Sequence, residues 1–252
     1  MNKTAKRIIL LIAIAGLAVA AVAQSQSVNP PLDEKRLTIH TLVREDIFAG
    51  FLTNDAERLA RGEKNVDALM VSRPSAKAEL LSWKGAVEMY KAVRAFEGGK
   101  RDEFETLYKS SLEKFAQAKE LSPGNGGVYA VLGGSHGIFA DRLPKQYREA
   151  AWNRAYEAYQ ELWKQQAPAI AQLPVHLKGE LLAGLAQSSQ RLGRTEEMTK
   201  YLDKIIEVLP DSPYERIAKE WKSDPALARD SRMTCVTCHD SGRLAPRMAA
   251  LK

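Results

Sequence analysis

The sequence predicts an all-α chain, and three observations carry that prediction. From Lys35 to Trp221 apolar residues recur at three- and four-residue intervals, runs of β-branched residues are absent, and glycines and prolines cluster between the periodic stretches rather than inside them. No stretch reads as a strand. Four segments follow in order: a targeting segment at 1–23, an N-terminal helical cap at 24–75, a helical repeat region at 76–224 and a C-terminal tail at 225–252.

The first segment opens with Lys3, Lys6 and Arg7, then runs uncharged from Ile8 to Ala23 and ends on Ala21-Val22-Ala23, the small-x-small pattern that signal peptidase accepts. It predicts export to the periplasm or outside the cell, with the mature chain starting near Gln24. The alternative is a retained anchor, because the apolar run is close to the shortest that spans a bilayer; a membrane association is expected only in that case. No cysteine follows the run, which excludes a lipid-anchored lipoprotein. Three of the 37 basic residues leave with this segment, so 34 face 31 acidic ones and the mature charge is about +3. That balance gives no footprint for nucleic acid. The charges are mixed in sign along the helical stretches, as solvated faces require.

Within the cap, Leu37 to Met70 reads as one or two helices. In the repeat region Leu81, Ala86, Met89, Tyr90 and Val93 form one apolar stripe, and Leu112, Phe115, Ala116 and Leu121 another, stopped by Ser122-Pro123-Gly124. From Leu185 to Pro210, Leu185 and Ala186 occupy first-helix packing positions, Leu192-Gly193 a turn, Leu202 and Ile205 a second helix, and Pro210 its end. This unit resembles a tetratricopeptide repeat, with Met198 where the family favours alanine. Ser111, Phe115, Ala118 and Pro123, after a loop at Gly98-Gly99-Lys100, resemble a stretched second unit. Leu132-Gly133 with Ala155 and Tyr159 resemble a third, whose turn is longer around Asp141 to Lys145. The resemblance covers residues 76 to 212. It implies stacked antiparallel helical hairpins, an α-solenoid, with Leu202 and Ile205 buried and a groove lined by first helices that takes a protein ligand.

The tail holds both cysteines of the chain, in Cys235-Val236-Thr237-Cys238-His239. This matches the attachment signature of c-type haem: two thiols three positions apart reach the two vinyl groups, and the next imidazole lies under the iron. One covalent haem c on Cys235 and Cys238, with His239 as an axial iron ligand, is the expected cofactor. A structural zinc site needs four Cys or His ligands and finds three here. A Cys235–Cys238 disulfide stays open in an exported protein, whereas a thioredoxin-like pair lacks its βαβ context. Only 13 residues follow His239, too few to wrap a haem, so the haem has to rest on the helical region, on a partner, or half exposed.

For the second axial position the leading candidates are Met248 and His136. Met248 lies nine positions beyond His239, a span of about 30 Å when extended. His136 sits in Gly133-Gly134-Ser135-His136-Gly137, where missing side chains would admit a flat ring or, equally, allow close helix packing. His40, His176, Met70, Met89, Met198 and Met233 complete the set. The functional expectation is an exported monohaem protein whose repeat region docks a redox partner protein while the haem carries single electrons. The alternative is a periplasmic scaffold of the same fold with a structural or non-redox tail. A peroxidase-like enzyme finds no support, for no His or carboxylate constellation marks one, and no phosphate loop or hydrolase nucleophile motif is present.

Overall fold

The computed structural model describes residues 28–234 and 244–251; the targeting segment with Ala21-Val22-Ala23, and the Cys235, Cys238 and His239 motif, lie outside the described residues. The described chain is helical, with no strand among the described residues. Its helices are α1 (Ile39–Thr53), α2 (Ala56–Ser72), α3 (Lys77–Glu97), α4 (Arg101–Leu121), α5 (Gly126–Phe139), α6 (Lys145–Gln166), α7 (Val175–Arg191), α8 (Thr195–Val208), α9 (Pro213–Ser223), α10 (Leu227–Asp230) and α11 (Leu244–Ala249). None of the described helices is long and apolar enough to cross a membrane.

Consecutive helices pack as hairpins, α1 with α2, α3 with α4, α5 with α6 and α7 with α8, and each hairpin leans on the next. Two of the turns are the same structure. After α3 the N–H of Gly99 donates to Phe96 O (2.9 Å) and that of Lys100 to Ala95 O (2.8 Å); after α7, Gly193 donates to Gln190 O (3.1 Å) and Arg194 to Ser189 O (2.9 Å). This is the Schellman closure, which needs one left-handed residue, and Gly99 and Gly193 supply it at φ 75° and 70°. The turns expected at Gly98-Gly99-Lys100 and Leu192-Gly193 are therefore present. The segment read as a cap is itself a hairpin: Asn54 (φ 56°) is its left-handed residue, and Asp55 caps α2 by accepting from Arg58 N at 3.0 Å. The longer turn of the α5–α6 hairpin runs through Ala140–Arg142, Leu143 and Pro144.

Close approach within and between hairpins depends on glycine opposite a ring. A Cβ on Gly133 of α5 would meet the Tyr159 ring of α6 at 3.0 Å, and one on Gly184 of α7 would lie 2.3 Å from the same ring, so Tyr159 locks α6 between its two neighbours. Ser111 Oγ of α4 donates to Gly85 O of α3 at 2.8 Å. Leu185, Ala186, Leu202 and Ile205 are fully buried, and Met198 is buried where alanine was expected. One hydrophobic cluster runs through the whole array and takes in Leu42 and Ile47 of the first hairpin as well as Ala228, Met233 and Leu244 of the tail.

Candidate functional site

The first helices of the four hairpins, α1, α3, α5 and α7, surround a cavity of about 410 Å³, within the size range of small-molecule clefts. One wall is aromatic. His40 on the first turn of α1 packs against Trp83 of α3 (5.3 Å between ring centroids, 45° between planes), and Phe48 meets the same indole edge-on at 5.9 Å. The floor is α5, where Gly127, Ala130 and Gly134 share one helix face. A side chain on Gly134 would meet nothing within 4 Å, so this face is flat and open toward the cavity. The opposite wall is the start of α7, with His176 and Leu177; Leu177 is 48% exposed, an apolar side chain turned to open space. Arg247 of α11 reaches the rim. A smaller adjoining cavity of about 60 Å³ is bounded by His40, His176, Arg247 and Leu244.

The tail is held at both ends of the segment that carries the cysteines. Before it, Gln187 Oε1 of α7 accepts from Met233 N (2.8 Å), Thr234 N (3.0 Å) and Thr234 Oγ1 (3.2 Å). Arg191 Nη1 donates to Ala228 O (2.6 Å) and its Nη2 to Ser231 O (2.9 Å). After it, Leu244 N donates to Glu45 Oε2 of α1 at 3.0 Å, the Leu244 side chain is buried, and Arg36 Nη1 donates to Leu251 O at 3.0 Å. The chain thus leaves the last hairpins and returns to the first helix of the array.

The candidate ligands fall into separate places. His40 and His176, far apart in sequence, line the same two cavities as Arg247. Met248 is half-buried against the core four positions after Leu244, and residues so spaced share a helix face. Met89, Met198 and Met233 are buried in the core, and Met70 packs half-buried against it. His136 is buried on the other side of α5, in a cavity of about 570 Å³ between α4 and α6 that shares no lining residue with the groove. Its ring leans on Phe115 at 5.3 Å, and its Nδ1 has no hydrogen-bond partner. Burial, with the cations Arg154 and Lys119 adding to it, pushes this imidazole down to about 3, so it is neutral at ordinary pH. Of the glycines around it, Gly133 serves helix packing against Tyr159, while Gly134 leaves open space on the groove side of α5, away from His136.

Among the described residues no three His, Cys, Asp or Glu side chains gather as a metal-holding group. No known protein family, curated protein or solved structure matches this chain. Helical periodicity carries no signal for the convergence of His40 and His176 on one cavity, since it reports which face of one helix is apolar and not which helix ends come together.

Proposed function

We propose that this chain is an exported monohaem c-type protein, built on tetratricopeptide-like hairpins, in which haem held through Cys235 and Cys238 carries single electrons and the array docks a redox partner. The observation that carries the reading is the pairing of the Cys235-Val236-Thr237-Cys238-His239 motif with a tail anchored on Gln187 and Glu45, on either side of it, beside a histidine-lined groove.

The groove's chemistry suits a flat, mostly apolar ring bearing carboxylate arms. Trp83, Phe48 and Leu177 offer apolar surface that keeps water from such a ring, the bare face of α5 leaves room for it, and Arg247 offers a cation to a carboxylate at the rim. Bound haem supplies a one-electron iron couple, tuned by its axial ligands and its burial. Val175 and Leu177, exposed at the start of α7, give a partner protein apolar contact beside the groove. The scaffold alternative uses the same surface with no electron carried.

The deciding experiment is intact mass and pyridine haemochrome spectroscopy of protein matured in a host competent for c-type haem attachment. One haem is expected on the wild type and none on the Cys235→Ser/Cys238→Ser variant, with helical content by circular dichroism unchanged. A wild type without covalent haem leaves the scaffold reading. The same mass spectrum reads the N-terminus, expected at or near Gln24.

A further inference from the structure

Behind the helix that floors the groove, the cavity of about 570 Å³ between α4 and α6 has room for a small organic molecule. We infer that it is a second ligand site, independent of the haem reading, and that it takes a small organic monocarboxylate with an apolar body.

The cavity wall has an apolar part and a cationic part. Leu112 and Phe115 of α4 and Leu132 of α5 form the first, where burial of a ring or hydrocarbon chain is favourable. Lys119, one turn beyond Phe115, and Arg154 of α6 form the second. Other lysines of these helices have carboxylate partners: Lys109 pairs with Glu113, Lys114 with Glu88 and Lys164 with Glu161. Among the described residues neither Lys119 nor Arg154 joins an ion pair. Arg154 is half-buried, and its planar fork of N–H donors matches the two oxygens of a carboxylate.

His136 adds a third polar group. Its side chain is buried on the cavity wall, and its Nδ1 has no hydrogen-bond partner. Buried polar atoms are paired in the great majority of cases, so an orphan beside a cavity marks where a ligand atom completes the bonding. The ring is neutral at ordinary pH, and with its proton on Nδ1 it donates to a carboxylate without adding a buried charge. Glu157 and Glu161 bound the same cavity. Their carboxylates repel a dianion, which selects a single carboxylate over phosphate.

The test is isothermal titration calorimetry on the full-length protein as purified, with 3-phenylpropionate and hexanoate as probes. Their alcohols, 3-phenylpropanol and hexanol, and inorganic phosphate serve as comparisons. At least one acid should bind saturably, one per chain, and its alcohol at least about tenfold more weakly. Arg154→Gln should weaken the acid by about tenfold or more, and Lys119→Gln, at an exposed position, by about threefold. Ala116→Trp, exposed on the cavity wall, should block binding without removing a charge, while Lys109→Gln, outside the cavity, should leave it unchanged. The ring nitrogen NMR signals of His136, identified by their loss in His136→Leu, should shift in the complex. The assignment is overturned if neither acid binds, if the alcohol or phosphate binds as tightly, or if Arg154→Gln keeps wild-type affinity. Binding that leaves the His136 signals in place overturns it as well. Loss of haem touches none of these readouts, so failure here and failure of the haem reading are distinguishable.

Discussion

The backbone N–H of Leu244 donates to Glu45 Oε2 at 3.0 Å across 199 positions of sequence. A hydrogen bond to a charged acceptor contributes about 1.5–3 kcal/mol, and here it joins the last helix to the first. Glu45→Ala should therefore release α11 while the hairpins stay formed. Hydrogen exchange is expected to rise in residues 244–251 and to stay low in α3 and α7. Equal protection of 244–251 in the variant and the wild type refutes this role.

At the other anchor, Gln187 Oε1 takes three hydrogen bonds from Met233 and Thr234 in a fully buried setting. Gln187→Ala strands two buried backbone donors, each worth about 1–3 kcal/mol when left unpaired. A drop in unfolding free energy of at least about 2 kcal/mol is expected in urea titration. A loss below about 0.5 kcal/mol would mean that the strand bearing these donors had found water.

Gly184 and Gly134 predict opposite signs for the same substitution. Gly184→Ala drives a methyl to 2.3 Å from the Tyr159 ring, and overpacking of this kind costs about 1–3 kcal/mol. Gly134→Ala meets nothing within 4 Å and should gain about 0.5–1 kcal/mol from helix propensity. Thermal melts of the two apoproteins should move apart, Gly184→Ala below the wild type and Gly134→Ala above it.

Acid should weaken the fold through His136 before it does so through the carboxylates. Its imidazole sits at about 3 in the folded protein and near 6.5 when unfolded. Between those values the unfolded chain binds a proton that the folded chain refuses, so stability is full above 6.5 and falls as pH drops toward 3, by at most about 1.4 kcal/mol per pH unit. Glu97, held down first by its hydrogen bond with Arg142, withdraws its contribution only below its ordinary value of 4.5. His136→Leu should match the wild type at pH 8 and outlast it at pH 5 in thermal melts. Parallel pH profiles for the two proteins exclude His136 as the source.

Much of the array was legible in the sequence because its signals are local. The apolar stripes placed the helices, and Gly99 and Gly193 marked turns that only a residue without Cβ enters freely. Asn54 performs the same task less visibly, which is why the first hairpin read as one or two capping helices. The Cys235 to His239 spacing was legible as an attachment signature, but the places where the chain on either side of it is held were not. The convergence of His40, His176 and Leu244 depends on how four hairpins curve, and the return of the tail depends on Glu45, one acidic side chain among 31. The burial of His136 was hidden for the same reason, since Phe115 and Arg154 reach it from other helices.

The Glu45 contact also has a place in time. Hairpins built from sequence neighbours gather quickly, because little chain entropy is lost in closing them, and a chain delivered N-terminus first completes its early hairpins first. The contact between Glu45 and Leu244 forms only after residue 244 has been added, later than any of the four hairpins. Until then the hairpins are formed and α11 has not yet docked on them. Docking of α11 on the first hairpin is therefore the closing step of assembly, and its loss is the first step by which the described tail can come away from an array that is still folded.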